Sequence, residues 1–86
     1  MSNEICTAEY KTDIESGADY FCSVLIEDFD GDKKKAYEYA EHNDTWDEVP
    51  EIIIGDPDES PGRAELYFAV LEATKKQFRL NLLGTY

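Results

Sequence analysis

The segment that decides the fold lies at the end of the chain, where residues 63–86 read RAELYFAVLEATKKQFRLNLLGTY. In its second half, Phe78, Leu80 and Leu82 alternate with polar residues, which is the two-residue period of a half-buried strand. A turn at Lys75-Lys76 would place an apolar set opposite these side chains: Ala73, Leu71 and Ala69. One face of the pair is then wholly apolar, so the pattern predicts a β-hairpin as the core of a sheet.

A helix over residues 61–76 is the open alternative for the same segment. Ser60 followed by Pro61 is a common helix start, because serine caps the first amides and proline fits the first turn. Residues 65–73 are mostly good helix formers, and Lys-Lys is unusual in a two-residue hairpin turn. We predict the hairpin and keep the helix as its competitor.

The first half of the chain predicts two strands followed by one helix. Residues 5–14 form the first strand, residues 15–19 read as a turn, and residues 20–29 form a second strand around an apolar centre. A helix is predicted over Lys33–Asn43, with Asp30 or Asp32 as its cap and with Ala36 and Ala40 on its packing face. The three lysines in its first turn oppose the helix dipole.

The second half completes a small sheet. Residues 51–54 read Glu-Ile-Ile-Ile after Pro50 and predict a short strand, and residues 55–62 form a loop of turn-favouring residues. The order of elements is then ββαβββ. We therefore predict an α+β two-layer fold, with an antiparallel sheet of four to five strands and one helix, as a single domain over residues 1–86.

Acidity is the strongest feature of the composition. The chain has 20 Asp and Glu residues against 8 Lys and Arg residues, a formal net charge of -12. Direct binding of nucleic acid is not expected, because phosphate contacts need lysine and arginine. An anionic membrane surface would also repel the chain. The charge suits a basic protein partner, or it serves solubility alone.

Cysteine usage and the N-terminus indicate an intracellular protein. Cys6 and Cys22 are the two cysteines, and their positions indicate neither a disulfide nor a metal site. The N-terminus lacks the basic start and apolar core of a targeting signal, and the apolar run at residues 66–71 is too short to cross a bilayer. We expect a cytoplasmic protein, acting in the host-cell cytoplasm if a phage encodes it.

No residue pattern indicates catalysis, a cofactor or a bound metal. The acidic turn at residues 28–32 resembles part of a calcium loop, but the EF-hand spacing would need glycine where Lys33 stands and glutamate where Tyr39 stands. His42 has no neighbouring nucleophile and is expected to lie on the surface at a helix end. We predict a protein that is not an enzyme, with a small metal-dependent module as the competing class.

Acidic residues without basic neighbours concentrate in residues 41–59, with aromatic residues on and beside that stretch. Carboxylates pair with lysine and arginine as phosphates do, and aromatic anchors ringed by charge are typical of tight interfaces. The residues predicted to bind a partner are Tyr37, Asp44, Trp46, Asp47, Glu48, Asp56, Asp58 and Glu59. The alternative is a solvated acidic face with Trp46 in the core.

Size, charge and the absence of chemical motifs together predict a binding protein. The expected function is to block the basic surface of a partner, a nucleic-acid-handling enzyme, in the manner of an inhibitor, an immunity protein, a phage anti-defence protein or a nucleic-acid mimic. The alternative is a structural protein that self-associates, as a homodimer, through a sheet edge at residues 52–54 or at the Tyr86 end.

Overall fold

Helices are the only regular secondary structure in the part of the chain that the structure describes. A computed structural model describes residues 8–55 and 64–84. Short 3-10 helices lie at Ala8–Tyr10 and Thr45–Asp47. The α-helices are α1 (Lys11–Asp28), α2 (Lys33–Asn43), α3 (Glu48–Ile53) and α4 (Ala64–Leu83). The predicted α+β fold with an antiparallel sheet is therefore wrong, since these residues contain no strand.

Helix α4 stands where the hairpin was predicted, and it continues through Lys75-Lys76 without a turn. The helical alternative is thus closer to the structure, although α4 extends seven residues beyond residue 76. Its buried side chains recur every three or four residues: Tyr67, Val70, Leu71, Thr74, Phe78 and Leu82. Phe78 and Leu82 are four residues apart, a spacing that fits both a helix face and an alternating strand. Leu80 distinguishes the strand from the helix, because a strand would bury it on the same face as Phe78 and Leu82. In the structure it is 37% exposed, as a helix requires.

Helix α1 and the 3-10 helix before it occupy most of residues 5–14 and 20–29, where two strands were predicted, so those predictions are wrong. Residues 5–7 lie outside the described residues. Its buried face consists of Ile14, Ala18, Cys22 and Leu25, which repeat at helical spacing. The predicted turn at residues 15–19 lies inside this helix. Gly17 is needed there for close packing, since a Cβ atom at this position would lie 3.0 Å from Val49 Cγ1 of α3.

The turn between α1 and α2 closes the first helix with backbone hydrogen bonds. Gly31 N donates to Ile26 O at 2.7 Å, and Asp30 N donates to Glu27 O at 3.2 Å. This paired pattern is a Schellman motif, and Asp30 occupies its left-handed position at φ 53°. Glycine would be the usual residue there, so an aspartate at this site is energetically unfavourable.

The prediction of helix α2 is confirmed, with the same bounds. The Asp32 side chain caps it by accepting a hydrogen bond from Lys35 N at 3.1 Å. Ala36 and Ala40 are fully buried, as expected for the packing face. The lysines of the first turn are exposed to solvent, so solvation weakens their conflict with the helix dipole.

Helix α3 occupies most of the predicted strand at residues 51–54, so that prediction is wrong. Pro50 is the third residue of this helix, within the first turn, where its missing N–H has no intrahelical partner to lose. Val49 and Pro50 face the core. Gly55 follows at φ 97°, and residues 56–62 of the predicted loop lie outside the described residues.

Helix α4 forms the centre of the packing and contacts α1, α2 and α3. The main core cluster combines large aromatic side chains, Trp46 and Phe78, with small ones that let helices approach closely, Ala18, Ala36 and Ala40. A second cluster joins Ile14, Ile54 and Val70. Asn81 Nδ2 also donates to Asp19 Oδ1 at 2.9 Å, which ties α4 to α1 at the surface.

Candidate functional site

Trp46 lies in the core at the junction of α2, α3 and α4, and is only 5% exposed. Its ring lies 6.0 Å from that of Tyr37 and 5.8 Å from that of Phe78, the latter edge-on. Lys75 Nζ lies 5.9 Å from the centroid of the indole, within reach of a cation–π contact. The indole therefore organises the junction and offers little surface to a partner.

The indole nitrogen of Trp46 is a buried polar atom that has no hydrogen-bond partner within the described residues. A buried donor left unpaired costs about 1–3 kcal/mol of stability. The aromatic contacts around the ring offset this cost, since an aromatic pair of this geometry contributes about 0.5–1.5 kcal/mol beyond its burial. Trp46 is therefore a packing residue in this fold.

Tyr37 is half-buried and connects α2 to α4. Its hydroxyl accepts a hydrogen bond from Arg79 Nε at 3.1 Å. That bond is the main cause that raises the pKa of the Arg79 guanidinium, with a smaller contribution from the nearby Glu72 and Glu41 carboxylates. Arg79 therefore remains a cation beside the aromatic pair, near the carboxylates of Glu41 on α2 and Glu72 on α4.

Asp44 ends α2 in a left-handed conformation, at φ 50°. Its backbone N–H donates to Ala40 O, but its side chain makes no capping hydrogen bond to the following 3-10 helix. A negative charge at the C-terminus of a helix faces the negative end of the dipole. The Asp44 carboxylate is thus exposed and electrostatically unfavourable for its own helix.

Asp47 and Glu48 continue the acidic surface from Asp44. Burial raises the pKa of the Asp47 carboxyl above its ordinary value; the Asp44 charge raises it further, and Lys75 lowers it. Glu48 is exposed and begins α3. The structure therefore brings together Tyr37, Asp44, Trp46, Asp47 and Glu48, which we call the junction site. Asp56, Asp58 and Glu59 lie outside the described residues.

Ion pairing neutralises little of this acidity. Within residues 8–55 and 64–84, the one ion pair closer than 4.0 Å joins Lys75 Nζ to Glu72 Oε1 at 3.7 Å. Asp44, Asp47 and Glu48 therefore have no ion-pair partner in the described residues. Asp47 is near enough to Lys75 for that ammonium to lower its pKa, while Asp44 and Glu48 are exposed carboxylates.

The candidate metal ligands are dispersed. In the described ranges, no three His, Cys, Asp or Glu side chains are grouped so that they could hold a metal ion. In the acidic turn after α1, Asp32 serves as a helix cap and Asp30 as the left-handed residue of the turn. His42 is exposed in the last turn of α2.

The sequence analysis did not predict a groove that lies between α1 and α3. It has a volume of about 510 Å³ and is lined by α1 and α3, through Asp13, Ser16, Gly17, Tyr20, Phe21, Ile52 and Ile53. Two of these side chains are strongly exposed, Tyr20 at 64% and Ile52 at 72%. The sequence contained an indication of this groove, because Asp13, Gly17 and Tyr20 have the spacing of residues on one face of a helix. The prediction of a strand over residues 20–29 excluded such a helix face.

A scan against protein-family models, a search of curated proteins and a search of solved structures gave no match to this chain. None of the helices within residues 8–55 and 64–84 combines the length and apolar composition needed to cross a membrane.

The sheet edge predicted to mediate self-association at residues 52–54 is not formed, because Ile52 and Ile53 belong to α3. Tyr86, the other predicted edge, lies outside the described residues.

Proposed function

We propose that this chain is a small acidic binding protein that blocks the basic surface of a partner, namely a nucleic-acid-handling enzyme of the cytoplasm. The observation that carries the proposal is the set of unpaired carboxylates at the junction site, Asp44, Asp47 and Glu48. Carboxylates can occupy the arginine and lysine positions that otherwise hold phosphates. As a proposal at the level of class, the chain would act as inhibitors, immunity proteins and phage anti-defence proteins do.

Asp44 supports the proposal through its unfavourable position in the fold. It combines a left-handed backbone with a negative charge at the end of a helix, and asparagine or glycine would suit both conditions better. Residues that oppose local stability are expected where a side chain serves binding. A carboxylate at this position is explained if it pairs with a cation of the partner.

The mechanism requires steering and occlusion, with no chemical step. A net charge of -12 attracts a basic surface over a distance of about 10 Å at moderate salt. On contact, the junction-site carboxylates pair with partner lysine and arginine side chains, and the covered surface can no longer bind nucleic acid. The lysines at the start of α2 lie at the opposite end of that helix from Asp44, and so stay outside the interface.

The first test is affinity capture from lysate of the cell that makes the protein, washed at low and then at high salt. We expect one dominant basic partner that high salt releases, identified by mass spectrometry. The purified partner should lose its binding or processing of nucleic acid when the chain is added in equimolar amount. A partner whose nucleic-acid activity is unaffected by the chain would contradict the proposal.

The second test compares two sets of variants that remove the same number of charges. The junction set is Asp44→Asn, Asp47→Asn and Glu48→Gln, and the control set is Asp30→Asn, Glu9→Gln and Glu65→Gln. Each set neutralises one left-handed aspartate at a helix C-terminus, which favours stability, and two acidic residues in first helical turns, which opposes it. The two sets should therefore change the melting temperature by similar amounts. Only the junction set should weaken partner binding, by about 100-fold if each lost charge pair contributes about 1 kcal/mol. Equal loss in both sets would mean that net charge alone drives association.

A further inference from the structure

The groove between α1 and α3 is an open depression with a volume of about 510 Å³. Most of its lining residues are apolar or aromatic, so it offers apolar surface to a partner. Gly17 forms part of its wall without a side chain, and Tyr20 is packed edge-on against Phe21 with ring centroids 5.2 Å apart. Because Ile52 and Tyr20 project into solvent at its border, an inserted apolar side chain would shield both.

The surroundings of the groove are acidic. Asp13 is its only charged lining residue among those described, and no lysine or arginine lines it. Glu48 precedes Ile52 by four residues in α3, so the two side chains share one face of that helix. Glu27 follows Tyr20 by seven residues in α1 and lies on the same face. Apolar contact in the groove thus lies beside the carboxylate of Asp13, and Glu27 and Glu48 lie farther along the same faces of α1 and α3, outside the lining.

We propose that this groove binds the apolar face of a basic amphipathic helix belonging to the partner protein. Such a helix places leucine-sized side chains three and four residues apart, with lysine or arginine alongside to meet Asp13, Glu27 and Glu48. A second copy of this chain does not fit, because each copy carries a net charge of -12 and the two would repel. The inference rests on the proposed function and names the structural element by which the partner is recognised. Glu48 then belongs to both the junction site and the acidic surroundings of the groove.

The test uses two synthetic peptides of equal charge as probes. The first is a helical peptide of leucine and lysine with leucines on one face, and the second replaces each leucine with glutamine. Each is titrated into the isotope-labelled protein, and amide shifts are followed by NMR. We expect the leucine–lysine peptide to shift Gly17, Tyr20 and Ile52, and to bind at least about tenfold more tightly than the glutamine–lysine peptide.

Matched variants locate the binding. Ile52→Ser and Tyr20→Ser truncate exposed groove side chains, and each should weaken the leucine–lysine peptide by about tenfold. Phe68→Ser is the control, because Phe68 is also strongly exposed, at 57%, but lies on α4 and not in the groove. Circular dichroism verifies that all three variants keep the helical content of the parent.

The outcomes separate this inference from the proposed function. If both peptides bind equally and shift Asp44 but not Gly17, the groove inference is overturned and binding at the acidic surface is supported. If a leucine–glutamate peptide binds the groove as tightly as the leucine–lysine one, selection of a basic helix is overturned. If neither basic peptide binds, the groove inference is overturned, while the proposed function is decided by partner capture and the junction-set variants.

Discussion

Gly17 shows how one residue can be read in opposite ways from sequence and from structure. With Ser16 before it and Asp19 after it, the composition predicts a turn. In the structure it lies within α1, where the absent side chain lets Val49 of α3 approach closely. Glycine is unfavourable inside a helix by about 1 kcal/mol relative to alanine, so the packing of α3 on α1 must outweigh that penalty.

Gly17→Ala should therefore lower the stability of the protein, by about 1 kcal/mol, despite its better helix propensity. The new Cβ would lie 3.0 Å from Val49 Cγ1 and 3.3 Å from Cγ2, and Val49 is buried and β-branched, so it cannot easily move aside. Urea unfolding followed by circular dichroism measures the change. In a Val49→Ala background the overlap disappears, and the same substitution should become stabilising. A stabilising effect in both backgrounds would disprove the close approach.

Cys22 provides a prediction about pH. Burial raises the pKa of its thiol to about 11; a hydrogen bond from Asn81 lowers it, and the Asp19 charge raises it. In the unfolded chain the thiol ionises near 9.0. Between these two pH values, the Cys22 thiol has lost its proton in the unfolded state but keeps it in the folded state. Stability therefore falls as the pH rises from about 9 to about 11.

The same shift predicts a poorly reactive thiol. In a Cys6→Ser background, Cys22 should react with a disulfide reagent at about pH 8 roughly 100-fold more slowly in the folded protein than in denaturant, because the thiolate is the reacting species. Absorbance of the released thiol gives both rates. Comparable rates in the two states would show that the thiol is not buried in the way that the structure places it.

At the scale of elements, α4 explains why the sheet was predicted and why it does not form. Phe78 and Leu82 fit an alternating strand and a helix face equally well, since their spacing is four. Burial of Tyr67, Val70, Leu71 and Thr74 with them extends one stripe along the whole helix, and a hairpin would divide it. By contrast, α2 was predictable because a capping aspartate, helix-forming residues and paired alanines all agree.

Leu82→Ala and Leu80→Ala distinguish the two readings of that segment. In α4, Leu82 is 4% exposed, and its truncation should cost about 3 kcal/mol, as expected for a buried leucine. Leu80 lies on the outer side of the helix, so its truncation should cost less than about 1 kcal/mol. Denaturant unfolding of both variants gives the two values. Equal and large losses would be expected of a hairpin with both leucines on its apolar face, and would contradict α4.

At the scale of the whole molecule, charge works against compaction. A net charge of -12 on 86 residues makes carboxylates repel one another across the helices, and the one ion pair within the described residues, between Lys75 and Glu72, does little to relieve this. The repulsion is what a partner with lysine and arginine would relieve. Binding and folding are therefore expected to stabilise each other.

Salt should stabilise the free protein. Raising sodium chloride from about 20 mM to about 300 mM shortens the screening length severalfold, so the melting temperature should rise by about 5 °C for a gain of about 1 kcal/mol. A thermal scan by circular dichroism measures this, with potassium chloride at matched ionic strength as the control for ion-specific effects. An unchanged or lower melting temperature would show that repulsion does not limit stability.

The sequence predicted part of the candidate site, namely the carboxylates that are close together along the chain. Asp44, Asp47 and Glu48 are close in sequence and carry an unbalanced charge, so any fold that exposes them makes an acidic surface. The place of Trp46 could not be read from local pattern, because its burial depends on Phe78, which is 32 residues away in sequence and edge-on to it in space. The groove between α1 and α3 depends in the same way on two segments distant in sequence.

Local chemistry was sufficient to derive the acidity of the molecule, the capped helix α2 and the grouping of the junction carboxylates, because neighbouring residues establish each of these. The helical state of α1 and α4, the burial of Trp46 and the groove beside Ile52 required the packed molecule. The short apolar patterns of α1 and α4 are compatible with a helix or a strand nearly equally. Contacts between residues distant in sequence, which bury side chains around Phe78, favour the helix.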